Sequence, residues 1–522
     1  MLWLTFFFLL VWLMFISPGW KKAFWQAELT GKGANGIAVV IILVFFSTTI
    51  LVSHFTLEQF PNSSDEYAYL MQAKTLSHGK LAEKAPLFPA AFHYNHIAIK
   101  DHVRVGRFPP GWPLLLSTSF LLGIPSWLIN PLLGALALLV FYLFARQFYS
   151  TKVAVWSLAA LALSGYFVFN SASFFSHISC LLMTVLFVWA MRLFQASGKV
   201  TYLFLAGFCI GLIGVTRYYT AMLIFLPFLI HLIHRYKKDA IFILLQLAIG
   251  VVPWILFLLW YNYKLTGNPL MPVTVWAYQD EQLGFVKGHT VVKGMEHVLR
   301  WMFMFFYWCS PGLLLLYFLL LWKKVKSATA RWTHPEDYLF IVLMAGYFFY
   351  YQIGGNQYGP RFLLEALPFL ILFVVRSVSQ WQSSYRAALL VAGVIFAVVK
   401  FPFIADREAR VVDERQDLFD LVRQKGISKA VVFVNSPTGI IRPMPIGDLT
   451  RNESDFNSEV VYAQELMETT GQLMSHYKGR SFYRYVRKPD QPRGELIPIH
   501  PRLEEVTQES GAPQHKLLLS HD

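Results

Sequence analysis

Apolar runs long enough to cross a lipid bilayer recur through most of the sequence from residue 2 to residue 401, separated by short charged loops. Hydrocarbon offers no partner to a backbone N–H or C=O, so such runs must satisfy their own hydrogen bonds and read as helices. They fall at about 36–53, 126–145, 153–170, 177–194, 200–216, 218–233, 239–262, 298–322, 338–352, 362–378 and 387–401. An earlier run, LWLTFFFLLVWLMFIS (2–17), lacks both a basic leader and a small-residue cleavage site. It reads as an extra N-terminal span rather than a removed signal peptide, with an interfacial helix as the alternative, which brings the expected total to about 12. Many of the 46 Phe, 25 Tyr and 16 Trp stand near the ends of these runs, as interfacial belts require. Cys180, Cys209 and Cys309 all lie inside apolar runs, so they are packing residues, and no disulfide framework is visible.

The net charge of +14 does not point to nucleic acid, because the basic excess is confined to the apolar part. Residues 1–401 carry 29 Lys/Arg against 13 Asp/Glu, whereas residues 402–522 carry 16 against 18. One alternate set of short loops holds Lys21, Lys22, Lys32, Arg146, Lys152, Arg192, Lys199, Arg235, Lys237, Lys238, Lys323, Lys324, Lys326, Arg331, Arg376 and Arg386. The other short loops hold little beyond Arg217 and Arg361. Positive charge favours the cytoplasmic side, so the first set is cytoplasmic. This requires that GWPLLLSTSFLLG (111–123), too short to span comfortably, lies in the interface or dips back into the membrane. Residues 54–125 then form a large external loop. Residues 402–522, charged and with a β-like run KAVVFVNSPTGI (429–440), form a small soluble α/β domain on the same side, with a flexible tail after about 490.

Ionisable residues at a membrane face are functional candidates, because placing a charge at mid-bilayer costs roughly 2.5–3.5 kcal/mol. Among the few acidic residues expected outside, those of the C-terminal domain apart, only Asp65-Glu66 and Asp280-Glu281 are adjacent pairs. In SSDE (63–66), Ser63 can cap a helix with Glu66 at the third helical position, a capping box. That structural role is compatible with chemistry, since a helix N-terminus also stabilises an ionised carboxylate. Further on, His93, His96, Lys100, His102, Arg104 and Arg107 precede a Pro-Pro-Gly turn. They show no four-ligand metal spacing, and their cations suit a lipid phosphate or, more blandly, phospholipid headgroups. Arg217 and Arg361 are lone arginines on the side where topology would have none. Phosphate contact is one reading; for Arg361, pairing with Glu365 one helical turn on is the other.

Taken in order, DEYAYLMQAKTL (65–76), RFPPGWPLLLSTSFLLG (107–123), LINPLLGALALLVFYLFARQFY (128–149), FFSHISCLLMTVLFVWAMRLF (174–194) and QYGPRFLLEALPFL (357–370) resemble the GT-C superfamily of polytopic glycosyltransferases. Within it, the chain is similar to the protein mannosyltransferase-like bacterial branch that includes the lipid A aminoarabinose transferases. The resemblance implies an all-α membrane bundle (36–401) with juxtamembrane helices in its first external loop, preceded by residues 1–35, which it does not cover. It implies a polyprenyl-phosphate-linked sugar donor, a glycan, lipid or protein acceptor, inversion at the anomeric carbon, and residence in a bacterial inner membrane with an extracytoplasmic active site. By the same resemblance Asp65 is the general base, with Glu66 second as acceptor-positioning group or substitute. Lys100, Arg104, Arg107, Arg217, Tyr358 and Arg361 are implied to bind the lipid phosphate or substrate. No cofactor is implied, and a divalent metal is left open. One departure concerns the substrate: the run before Pro109-Pro110 reads VGRF, without the Glu-Lys pair of the aminoarabinose enzymes.

The rival readings are a transporter or lipid-linked-sugar flippase and a non-catalytic assembly subunit. A transporter should place charges at mid-membrane on broken, repeated helices. Here the charges cluster at one face.

Overall fold

The computed structural model describes residues 31–499 apart from 279–282, 287, 328–332, 355–356, 381–382, 443 and 489–490. The run 2–17, the pair Asp280-Glu281 and the tail beyond 499 lie outside the described residues. The chain divides into two compact units, one holding residues 31–82 and 105–412, the other residues 83–104 and 413–499.

The first unit is helical. Helix α1 (Gly31–Leu51) ends in a π-helical turn at Val52–Thr56, and α2 (Ser64–Ser77) and α3 (Gly111–Leu122) follow in the first long loop. Then come α4 (Ile129–Phe148), α5 (Thr151–Ala162), α6 (Gly165–Ser171), α7 (His177–Ser197), α8 (Thr201–Gly214), α9 (Tyr218–Tyr236) and α10 (Ala240–Thr266). Helices α11 (Val273–Tyr278), α12 (Val291–Trp308), α13 (Pro311–Lys326), α14 (Leu339–Tyr347) and α15 (Leu367–Val378) complete the bundle, and α16 (Ser383–Gln424) runs on past its boundary. The core between them is apolar and aromatic, with Phe141, Phe169, Phe175, Trp301 and Tyr317 almost fully buried. Helices α8 and α10 meet through glycines: a Cβ on Gly207 would stand 2.0 Å from the Leu247 carbonyl oxygen, and one on Gly250 would stand 2.2 Å from that of Phe204. This is how small residues bring helices together where lipid supplies no hydrophobic drive. The three cysteines are free and buried, as packing residues should be.

Among the described residues, four helical stretches are long and apolar enough to cross a membrane, and five if α5 and α6, bent by 65°, form one broken span. One of these is the 49-residue stretch Tyr218–Thr266, in which α9 and α10 join through a tight turn at 237–239. Several of the expected runs are not single long helices. The run at 298–322 is broken at Cys309–Ser310, because Pro311 lacks an N–H and starts a new helix. The run at 338–352 supplies only nine helical residues, and the one at 362–378 begins as a 3₁₀ helix at Arg361–Ala366. The expected boundary at 401/402 falls inside α16, which continues through Pro402.

The second unit is α/β. Its four-stranded sheet has the order β5-β4-β6-β7, made of Ala430–Val434 (β4), Val460–Gln464 (β5), Ser481–Val486 (β6) and Glu495–Ile499 (β7). Strand β4 pairs in parallel with β5 and β6, and β7 closes antiparallel on β6. A central strand between two parallel neighbours is buried on both faces, hence the apolar run AVVFV. Helix α17 (Met467–His476) connects β5 to β6. A segment of the first long loop is built into this unit: strands β1 (Glu83–Lys84), β2 (Ile97–Lys100) and β3 (Val103–Gly106) form a small sheet. Ala91 and Phe92 pack with Val431, Phe433, Phe456 and Val461. The Gln464 N–H donates to the Ala91 carbonyl at 2.8 Å, and the Thr450 hydroxyl donates to that of His93 at 2.8 Å.

Candidate active site

Helix α2 begins where the sequence signals a cap. The Ser63 side chain accepts from the Glu66 N–H at 3.2 Å, and Asp65 and Glu66 occupy the first turn, where the helix dipole favours negative charge. The two carboxylates then diverge, as neighbours about 100° apart on a helix must. Glu66 turns into the protein, where it is 1% exposed and its Oε1 accepts from the Phe174 N–H at 2.9 Å. Burial pushes its pKa up to about 7, against the pull of that N–H and of the Arg361 guanidinium. Asp65 stays partly open, its side chain 22% exposed, and faces Arg361 with Oδ2 3.3 Å from a guanidinium nitrogen.

The segment Ser173–His177 links α6 to α7, and almost every backbone group in it is held. Trp112 donates from its indole to the Phe174 carbonyl at 2.9 Å, and Asn130 donates to the carbonyls of Ser173 and Phe175 at 2.6 and 2.9 Å. Buried backbone requires such partners. Trp112 is placed in turn by the Pro-Pro-Gly turn, where the Gly111 N–H donates to the Val215 carbonyl at 2.9 Å. A Cβ at 111 would come within 2.8 Å of that oxygen, so only glycine fits. The Phe175 ring so fixed lies beneath Arg361, with the guanidinium carbon 3.7 Å from the ring centre.

One step along the chain, the His177 Nδ1 is 3.1 Å from Glu365 Oε1, and its Nε2 is 3.3 Å from an Arg217 nitrogen. A ring carrying its proton on Nδ1 donates to the carboxylate and accepts from the guanidinium. Arg217 stands at the start of α9 and also donates to the Thr220 hydroxyl at 3.1 Å and the Tyr347 hydroxyl at 3.3 Å, with Glu365 at 3.6 Å. Glu365 therefore pairs with His177 and Arg217, not with Arg361 as the one-turn spacing allows. Residues 361–366 form a 3₁₀ helix, whose three-residue turn takes 361 and 365 off a common face.

Tyr69 joins the two clusters. It lies one turn after Asp65 on the same face of α2, and its hydroxyl is 3.4 Å from Ser176 Oγ. Burial raises its pKa and Asp65 raises it further, while Arg217 and Arg361 pull it down, so all three charged groups act on one hydroxyl. Asp65, Arg217 and Arg361 thus all lie within electrostatic reach of the Tyr69 hydroxyl. Arg107 stands over the Tyr278 ring at 4.4 Å, and its carbonyl accepts from Thr274 at 2.8 Å. Tyr358 is fully buried, and its hydroxyl accepts from Asn62 at 3.2 Å. Lys100 and Arg104 belong to the second unit, where the fully buried Arg104 guanidinium lies 5.0 Å from the Phe456 ring. Among the described residues no three His, Cys, Asp or Glu side chains gather in a way that could hold a metal.

Sequence reasoning passed over Tyr69, His177 and the hydrogen-bonded Ser173–Phe175 segment. Tyr69 was legible as the residue four after Asp65, and His177 as the polar residue heading an apolar run.

No curated protein matches the chain in sequence. A family model described as a domain of unknown function, DUF7846, matches residues 430–515. Among solved structures, ArnT from Cupriavidus metallidurans is similar in its apo state (12% identity, 86% of this chain and 93% of that one, TM-score 0.54). The same protein bound to undecaprenyl phosphate is similar at 12% identity over 87% and 93% of the two chains, with TM-score 0.53. The Archaeoglobus fulgidus oligosaccharyltransferase in its apo form is matched at 12% identity and TM-score 0.47, over 74% of this chain and 56% of that one, so the chain spans little more than half its length. Over most of its length this chain therefore has the fold of ArnT from Cupriavidus metallidurans.

Proposed function

We propose that the chain is a membrane glycosyltransferase that takes a sugar from a polyprenyl-phosphate carrier and passes it to an acceptor hydroxyl at the external face of the membrane. The observation that carries the reading is the ion pair of Asp65 with Arg361 at the capped start of α2, with Tyr69 one turn on along the same helix and Arg217 within its electrostatic reach. In this reading the acceptor hydroxyl attacks the anomeric carbon from the side opposite the carrier. Its proton passes to the Asp65 carboxylate, and the bond from the anomeric carbon to the phosphate oxygen breaks with its electrons leaving on the phosphate. General-base assistance of this kind is worth about 10²–10⁴ in rate.

The leaving phosphate needs positive charge where its own develops, and the guanidiniums of Arg361 and Arg217 supply it from fixed positions. Arg361 serves both partners: it holds the Asp65 carboxylate in the resting site and turns toward phosphate as Asp65 takes up the proton. Glu66, buried against the Phe174 N–H, anchors the segment that carries Phe175 and His177. The ArnT fold, solved with undecaprenyl phosphate in that protein, supports a lipid-phosphate donor.

The test is release of label by the purified protein from a panel of radiolabelled polyprenyl-phosphate sugars. Transfer from at least one donor, reduced at least tenfold in Arg361→Gln, is the expected result. Failure of every donor to release sugar, with substrate movement across reconstituted vesicles instead, would overturn the reading in favour of a transporter.

A further inference from the structure

Asp65 and Arg361 are 296 residues apart, and two loops must be brought into register for them to meet. A second set of contacts joins the same two loops behind the pair. The Asn62 carbonyl accepts from the Gln357 side chain at 2.7 Å, and the Asn62 amide donates to the Tyr358 hydroxyl at 3.2 Å. The Tyr358 carbonyl accepts from the Asn170 amide at 2.8 Å, and the Tyr166 hydroxyl donates to the Pro360 carbonyl. Asn62, Asn170, Tyr166 and Tyr358 are each fully buried, and Gln357 is nearly so. The chain therefore closes a ring: Asn62, through the Ser63 cap to Asp65, across to Arg361, back along Pro360 and Gly359 to Tyr358, and across again to Asn62.

The backbone within this ring is strained. Tyr358 has φ +52°, a left-handed conformation that a bulky non-glycine residue adopts only when its surroundings enforce it, and Gly359 follows at φ +93°. A Cβ at Gly359 would stand 2.7 Å from the Tyr166 ring, so the turn is also pressed against α6. Before Asp65 the chain is bent in the same way, with Glu58 and Gln59 at φ +50° and +57°. Two strained turns, each leading into one member of a charge pair and tied to each other by buried side chains, form a frame for that pair.

We propose that Asn62 and Gln357 are positioning residues that lock the turn before Asp65 to the turn before Arg361 and so set the geometry of the carboxylate–guanidinium pair. The inference rests on the function proposed above and names which buried amides serve that site. Neither touches substrate. They act through the Tyr358 turn, and their amide groups are matched to partners that an apolar residue of similar size would leave unpaired.

The experiment is a double-mutant cycle in the full-length protein, with Asn62→Ala, Tyr358→Phe and the pair, and Gln357→Ala alongside. Sugar transfer and binding of undecaprenyl phosphate are both measured. A displacement of about 1 Å in a reacting group costs on the order of a hundredfold in rate. Asn62→Ala and Gln357→Ala are each expected to lower kcat ten- to a hundredfold, by the order of that loss, with undecaprenyl phosphate affinity within about twofold of wild type. Because Asn62 and Tyr358 form one link, the double variant should be no slower than the slower single one. Independent, multiplying losses, or a parallel fall in binding and thermal stability with unchanged kcat, would overturn the positioning role. Asp65→Asn separates the two levels: if it is inactive while Asn62→Ala and Gln357→Ala are as fast as wild type, this inference fails alone. If Asp65→Asn is fully active, the proposed site itself fails.

Discussion

Replacement of Glu66 by glutamine converts a buried titrating group into a neutral one of the same shape. The Phe174 N–H keeps its acceptor, since glutamine retains the oxygen that Glu66 presents at 2.9 Å. In the wild type the folded-state pKa is about 7 against an ordinary value of 4.5, a rise of 7 − 4.5 = 2.5. A group raised on folding binds its proton more tightly in the folded state. Its stabilising contribution is therefore complete below pH 4.5 and is lost as pH climbs through 7. At 1.36 kcal/mol per pKa unit, the full loss is about 3 kcal/mol, most of it between pH 5 and pH 8. The assay is thermal unfolding in detergent at pH 5, 6, 7 and 8 for wild type and Glu66→Gln. The wild type should lose midpoint temperature relative to the variant over that range, so that the variant is the more stable protein at pH 8. A difference that stays constant from pH 5 to pH 8 would refute the reasoning, because it would mean that Glu66 does not titrate in this window.

At the opposite end of the bundle, Asp337 is held by Lys324 at 2.6 Å and Arg376 at 2.7 Å, with Glu336 next to it accepting from the Tyr149 hydroxyl at 3.0 Å. Asp337→Ala strands the buried Lys324 ammonium and leaves the partly exposed Arg376 guanidinium without this carboxylate, and should lower stability by about 3 kcal/mol, read as a loss of unfolding midpoint and of yield. Gly111→Ala forces a Cβ against the Val215 carbonyl and should cost about 1–3 kcal/mol, with transfer activity falling alongside as Trp112 moves; unchanged stability would show that the turn relaxes freely. Phe92→Ala empties a core position shared with Phe456, whose ring centre lies 4.6 Å away, and should destabilise the second unit by about 3–5 kcal/mol. Limited proteolysis then cuts residues 413–499 faster than in wild type, and an unchanged pattern would show that the unit does not depend on this segment.

The sequence made the class of fold readable because membrane helices announce themselves by length and apolarity, and α1, α4, α7 and α10 stand within a few residues of the runs that named them. Breaks were harder to see. Pro311 was visible as a helix starter, yet the apolar letters on both sides of it read as one span. The capped start of α2 was legible from SSDE, since a cap is a local bond. The destination of the Glu66 side chain, 108 residues away at Phe174, was not, because nothing in a local pattern encodes a long-range backbone donor. The same holds for the swap of Glu365 from Arg361 to His177 and Arg217, which depends on a 3₁₀ segment within an apolar run. The assembly of residues 83–104 onto the β4 sheet was hidden for another reason: its polar joining contacts are backbone carbonyls of Ala91 and His93, which carry no side-chain signature, and the apolar Phe92 does not name its partner Phe456. Two Asn-X-Ser sequences illustrate the converse. Asn62 and Asn452 are both buried with their amides donating to protein acceptors, so in the folded chain neither is open to modification.

The central claim is that Asp65 takes the acceptor's proton, and single-turnover transfer from a donor bound in excess protein tests it without interference from product release. Asp65→Asn keeps the size and polarity of the side chain but cannot accept that proton, so the transfer step should slow by about 10²–10⁴ while undecaprenyl phosphate binding holds. Transfer at the wild-type rate in Asp65→Asn would contradict the account and move the base to another group.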